Sequence, residues 1–306
     1  MKRAALLFRL TPLALLAAAA PQPAQGPEIR TDDVARFYAL YDAAGGKPTA
    51  EQLQRDYLDK GSAGLAEFAR LRTITGERMA AAIAANPKMF DDARRCNAVL
   101  PRVRARLAPA LAKLAALYPK GVYPPVTFAI GRGKTGGTAN ASGVMIGLET
   151  LCAFDFMEPD PENRFVYVIA HEYAHVQQPA AQVENPEESV LTAALTEGAA
   201  EFVGELISGS VSYRHLIAAT KGREAELETA FLADRDKKAL GSDWLYNGRG
   251  TPERPGDLGY WVGYRVAKAY YRKAKDKRAA LGEIIEMPDP KAFLAASGWR
   301  PGMKLD

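Results

Sequence analysis

The chain has 306 residues, 48% hydrophobic and 25% charged, with a formal net charge of +4. Three of those charges come from Lys2, Arg3 and Arg9, so the remainder is near +1 and gives no sign of a nucleic-acid partner. The length is ample for one large core or two lobes, and beyond the first 25 residues no segment is long and apolar enough to span a bilayer.

Residues 1–25 read as a secretory signal peptide. Lys2, Arg3 and Arg9 form a basic start, and Leu10 to Ala20 form a short apolar run ending in four alanines. The run is too short for a membrane anchor, and no cysteine follows it to carry a lipid. The expectation is an exported protein, periplasmic or secreted, with no stable membrane anchor once the signal is cleaved near Ala19 or Ala24. Cys96 and Cys152 pair only if that compartment is oxidising and the fold brings them together; the spacing leaves this open.

Residues 26–118 read as a helical N-terminal region. Thr31-Asp32-Asp33 opens a helix that Gly45-Gly46 closes, and Thr49-Ala50-Glu51-Gln52 is a capping box for the next. Helical patterning runs from Ser62 to Ala85, breaks at Asn86-Pro87, and resumes from Arg94 to Tyr118. No catalytic constellation stands out here; the region reads as a lobe that walls a cleft.

The period then changes. Val122 to Ile130 and Gly143 to Leu148 read as strands. Between them Gly131-Arg132-Gly133-Lys134-Thr135 resembles a phosphate-binding loop. However, Phe128 stands where its first glycine belongs, and Gly136-Gly137 and a strand follow in place of a helix. A flexible hairpin is the better reading, with residues 143–148 as a candidate edge strand along a cleft.

Asp160 and Pro161 start a helix that runs to Gln178 before Pro179. It carries His171-Glu172-Tyr173-Ala174-His175, two of the three histidines in the chain. Residues four apart share a helix face, so His171 and His175 are placed to hold one zinc ion. Glu172 is rotated about 100° from His171. It is poorly placed as a ligand of the same ion and well placed to take a proton from a water beside it. Asn185-Pro186-Glu187-Glu188 looks like the start of a second helix, on which Glu197 and Glu201 fall on a stripe of small and apolar residues. A buried carboxylate needs a compensating cation or donors, so both are candidates for a third ligand.

Further on, His215 stands alone. Gly259-Tyr260-Trp261-Val262-Gly263-Tyr264-Arg265 reads as a helix start, and Tyr260, Tyr264 and after them Arg265 are candidates to hydrogen-bond a tetrahedral oxyanion. Lys and Arg between Arg272 and Arg278 read as a solvated helix face.

His171-Glu172-x-x-His175 followed by Glu197-Gly198-Ala199-Ala200-Glu201 resembles the gluzincin metallopeptidases. In that group a Glu on the next helix is the third zinc ligand, within Asn-Glu-Gly-Phe-Ala in aminopeptidase-type members. Thr196-Glu197-Gly198-Ala199-Ala200 takes that place, with Thr for Asn and Ala for Phe. The resemblance assigns Glu197 as ligand and leaves Glu201 as its support or its substitute. More narrowly, the chain from about residue 120 onward resembles a bacterial family of zinc-dependent proteases known only by prediction.

The expected fold is therefore α+β and mostly α. It has a zincin-like catalytic part over residues 119–306, a small sheet and the helical N-terminal part. The expected chemistry is Zn2+-dependent hydrolysis of a peptide or protein substrate, with His171, His175 and Glu197 as ligands and Glu172 as general base. The rival is a non-catalytic exported binding protein that keeps the fold around a structural zinc; that reading needs a fourth protein ligand.

Overall fold

The computed structural model describes residues 26–305. Residues 1–25, where a signal peptide is expected, lie outside the described residues. The fold is α+β and mostly helical, with one sheet of four short strands: β1 (Ile29–Arg30), β2 (Val126–Ala129), β3 (Gly137–Asn140) and β4 (Gly143–Gly147). Their order is β1-β2-β4-β3. β1 and β4 flank β2 in parallel, and β3 runs antiparallel to β4, with Thr138 opposite Met145.

Two sequence expectations are corrected here. The stretches at 122–130 and 143–148 form no hairpin with one another, because β2 pairs with β4 in parallel and the hairpin is β3–β4. The candidate edge strand at 143–148 is internal; the edge is β3, inside the glycine-rich segment. That segment is organised by a carboxylate, since the Gly133 N–H donates to the fully buried Glu149 at 3.0 Å. A buried carboxyl group fills the place where a phosphate-binding loop would need to admit an anion.

The sheet is covered on both faces. On one lies the histidine helix (Pro161–Gln177), whose Phe165 stacks on Phe128 of β2 with ring centroids 5.8 Å apart. On the other lies the Ala63–Arg72 helix, whose Gly64 sits so close to Thr127 that any side chain there would collide. Thr127 and Phe128 are neighbours on one strand, so they point to opposite faces. The N-terminal helices share one hydrophobic core with the sheet and the histidine helix. Tyr57 ties them to the end of β2, donating to the Ile130 carbonyl at 2.9 Å and accepting from its N–H at 2.8 Å. Cys96 and Cys152 are disulfide-bonded, which joins the same two regions covalently.

A second core lies among the glutamate helix (Val190–Ser208), the tyrosine helix (Leu258–Lys273) and the C-terminal helices. The glutamate and tyrosine helices cross at Gly198 and Gly263, backbone against backbone, with no room for a Cβ at either position. Small residues here convert side-chain separation into main-chain contact.

Candidate metal centre and active site

The histidine helix starts as its sequence dictates. Asp160 accepts from the Asn163 N–H at 2.7 Å and Pro161 occupies the first turn. The glutamate helix does not start at Asn185-Pro186. Ser189 caps it, accepting from Thr192 N at 3.2 Å, because the 185–189 segment is drawn into pairing with Lys237 and Lys238. The shift leaves the register of Glu197 and Glu201 unchanged, since both lie well inside the helix.

The two helices pack together and bring three atoms to one point. His171 Nε2 lies 3.0 Å from His175 Nε2, and Glu197 Oε2 lies 3.1 Å from His175 Nε2 and 3.3 Å from His171 Nε2. Two ligand atoms each about 2.0–2.1 Å from a tetrahedral zinc are separated by about 3.3 Å. The triangle therefore has the size of one face of a zinc coordination shell, and no fourth residue joins it among the described residues.

The surroundings fix which atoms carry protons. Gln178 Nε2 donates to the Thr196 carbonyl at 2.9 Å, which turns Gln178 Oε1 toward His175 Nδ1, 2.7 Å away. A carbonyl oxygen only accepts, so Nδ1 carries the proton and a neutral His175 presents a bare lone pair at Nε2. His171 Nδ1 faces the Glu201 carboxylate at 2.8 Å, at an angle too poor for a full hydrogen bond. That charge favours a proton on Nδ1 and again leaves Nε2 bare. Three acceptors thus point at each other in a buried place, and only a cation satisfies all three.

The titration directions agree. Burial pushes the imidazole pKa values of His171 and His175 down, but Glu201 beside the first and Glu197 beside the second outweigh it and hold both above the usual value. Burial pushes Glu197 up, and the imidazoles outweigh that and hold it well below the carboxylate range. A cluster that draws protons this strongly draws a metal cation by the same field.

Residues 134–288 match the family model described as Predicted Zn-dependent protease (DUF2268). The chain belongs to this family. No curated protein and no solved structure matches it. The matched stretch holds the whole His171–His175–Glu197 cluster and starts just before β3.

Within this family stretch, the structure separates the two glutamates of the second helix. Glu201 accepts from the Ser212 N–H at 2.7 Å and from the Ser212 hydroxyl, so its place is behind His171 and outside the ligand triangle. Glu172 is buried beside the cluster, and its Oε2 has no hydrogen-bond partner. Burial raises its pKa, and the two imidazoles pull it back only in part. β3 runs directly along it: a side chain at Gly137 would collide with Glu172 Oε1.

The tyrosines also part company. Tyr260 lies in the site wall, its ring stacked on His171 with centroids 6.1 Å apart and tilted against Tyr213 at 4.4 Å. Tyr264 is not brought to the cluster; its hydroxyl donates to Glu205 at 2.9 Å and accepts from Lys268 at 2.7 Å. Arg265 is committed to Glu228 at 2.5 Å. His215 packs edge-on to Phe156 and against Tyr213, with both ring nitrogens unpartnered, and it does not join the cluster.

Two residues at the site escaped the sequence reading. Tyr246, in the loop before the tyrosine helix, donates to Glu188 Oε1 at 3.0 Å and stands 3.5 Å from Glu197 Oε1, the oxygen turned away from the histidines. Its backbone is left-handed (φ 62°) and its ring is half exposed. Arg72, from the N-terminal region, reaches Thr138 of β3 at 2.5 Å. Neither lies in a motif. The one available signal was Tyr246's place amid Asn, Gly and Asp in a stretch rich in turn residues, which marks a loop without saying what it covers.

Proposed function

We propose that this chain is an exported zinc-dependent peptidase that hydrolyses peptide bonds with Glu172 as general base. The observation that carries the reading is the acceptor-only triangle of His171 Nε2, His175 Nε2 and Glu197 Oε2 with Glu172 beside it. Zinc, when bound, supplies a Lewis acid and lowers the pKa of water to about 7.

His171, His175 and Glu197 would hold the ion, with Gln178 and Glu201 fixing the imidazole orientations. Glu172 takes the proton of the attacking water and passes it to the leaving amine. Its free Oε2 is available for that proton. The Tyr260 hydroxyl is the donor for the carbonyl oxygen as it gains charge, and Tyr246, whose proton goes to Glu188, stands beside Glu197. The open edge of β3 offers main-chain hydrogen bonds to an extended peptide. The substrate is a peptide or protein, with no nucleic acid involved. The rival reading, a binding protein around a closed structural zinc, lacks its fourth ligand among the described residues. Export is supported by the signal-like residues 1–25 and by the Cys96–Cys152 disulfide, a bond that persists in oxidising compartments.

The test is metal content beside hydrolysis of a broad peptide set. The wild type is expected to hold about one zinc per chain and to cleave peptides; Glu197→Ala is expected to lose both. A wild type that takes up no zinc, or takes it up and cleaves nothing, overturns the reading.

A further inference from the structure

Arg72 is the last residue of the Ala63–Arg72 helix, and Thr73 in a left-handed conformation (φ 50°) turns the chain away behind it. Its backbone is held, since Arg132 Nε donates to the Arg72 carbonyl at 3.0 Å. Its guanidinium touches one acceptor, the neutral Thr138 hydroxyl on edge strand β3. A guanidinium has five N–H donors, so four are unused among the described residues. Arg70, two residues earlier, is engaged by Glu67 through two bonds of 2.7 and 2.8 Å; among the described residues Arg72 has no carboxylate within ion-pair reach.

The position of that unfilled fork matters more than its charge. Thr138 follows Gly137, which lies against Glu172, and one side of β3 is unpaired. Successive residues of a strand point to opposite faces, so Thr138 holds the guanidinium across edge strand β3 from Glu172. A peptide laid along β3 toward Glu172 passes the guanidinium. The group that fills a planar fork of donors best is a carboxylate, held by two parallel bonds.

We propose that Arg72 anchors a carboxylate of the substrate, so that the cleft selects peptides carrying an anionic group close to the bond that is cut. The residue comes from the helical N-terminal region, upstream of the family match at 134–288. The selectivity is therefore a property of this chain's N-terminal part. The proposal rests on the peptidase reading. The carboxylate has two sources, the C-terminal end of the peptide or an acidic side chain near the scissile bond.

The test is a binding titration on zinc-loaded Glu172→Gln protein, which reports recognition whether or not any peptide is cleaved. The probes are an N-acetylated alanine pentapeptide with a free C-terminal carboxylate, the same peptide amidated, and amidated versions with one Glu placed at each position in turn. The expected result is that one carboxylate-bearing class binds about 10- to 100-fold more tightly than the neutral amide. If it is the free-ended peptide, the source is the C-terminus; if it is one of the Glu-bearing amides, the source is a side chain. Adding Arg72→Ala should erase that difference while leaving the neutral amide's affinity within about two-fold, and Arg72→Lys should restore part of it. Equal weakening of charged and neutral peptides in Arg72→Ala, or no preference for carboxylates in the parent, overturns the proposal. Failure of the peptidase reading shows separately, as absence of zinc or of any hydrolysis by the wild type.

Discussion

Glu228 and Glu197 stand on helices that pack against the same tyrosine helix, and their neighbours differ in kind. Around the fully buried Glu228 every partner donates: Arg265 Nε at 2.5 Å, Trp299 Nε1 at 3.2 Å and the Gly302 N–H at 2.6 Å. Around Glu197 the nearest atoms are two imidazole nitrogens turned lone pair first, with a tyrosine hydroxyl at 3.5 Å. The first carboxylate is complete as folded and ties the C-terminal segment to the core. The second is complete only with a cation. Saturation by donors marks a group that serves the fold, and facing acceptors mark one that serves chemistry.

The contrast breaks most sharply at Glu172. Glu172→Gln should keep zinc and lower kcat by about 10²- to 10⁴-fold, measured on any peptide the wild type cleaves; a rate near wild type removes Glu172 from the proton transfer. At the finished site the expected loss is in stability. Glu228→Ala should cost about 2–4 kcal/mol in denaturant unfolding, because the largely covered Arg265 loses its counter-charge and the Trp299 and Gly302 N–H groups lose their acceptor, while zinc affinity in the fraction that remains folded is unchanged. Weakened zinc binding there would mean that the two regions are coupled.

Asp257 sharpens the comparison by lying between the two cases. It accepts from the Asn247 N–H at 2.8 Å, yet burial raises its pKa to about 6. A carboxyl raised above its unfolded value contributes stability that is full below the unfolded pKa and is lost as pH rises through the folded one. Ionised Asp257 therefore costs up to about 3 kcal/mol at neutral pH. Asp257→Asn should be more stable than wild type above about pH 6 and lose that advantage toward about pH 4. An advantage that does not change with pH would assign the effect to packing. The smallest effect is expected at Glu201: Glu201→Gln should weaken zinc binding about 10- to 100-fold without abolishing it, in a competition titration against a chelator. Complete loss would place Glu201 among the ligands.

What the sequence made legible was local. The histidine helix could be read because its cap, its proline and its paired histidines all act within a few residues, and the fold class followed from the change of period near residue 120. The start of the glutamate helix was misplaced because a cap-and-proline signal at Asn185-Pro186 lost to pairing with Lys237 and Lys238, some fifty residues away. β3 went unread because Gly137-Thr138-Ala139-Asn140 has no hydrophobic alternation; its strand character comes from β4. Choosing among Glu201, Tyr264, Tyr246 and Arg72 required knowing which donors and acceptors meet across elements, and spacing along one helix does not carry that.

The Gly198–Gly263 crossing has a consequence for how this site tolerates change. Glu197 precedes one of those glycines and Tyr260 lies three residues before the other, so the gap between a metal ligand and the cleft wall is gauged by the thickness of two bare peptide chains. Most active sites are spaced by side chains, which a neighbour can trim or repack to absorb an error. Here the spacer is the polymer itself, and it has only one size.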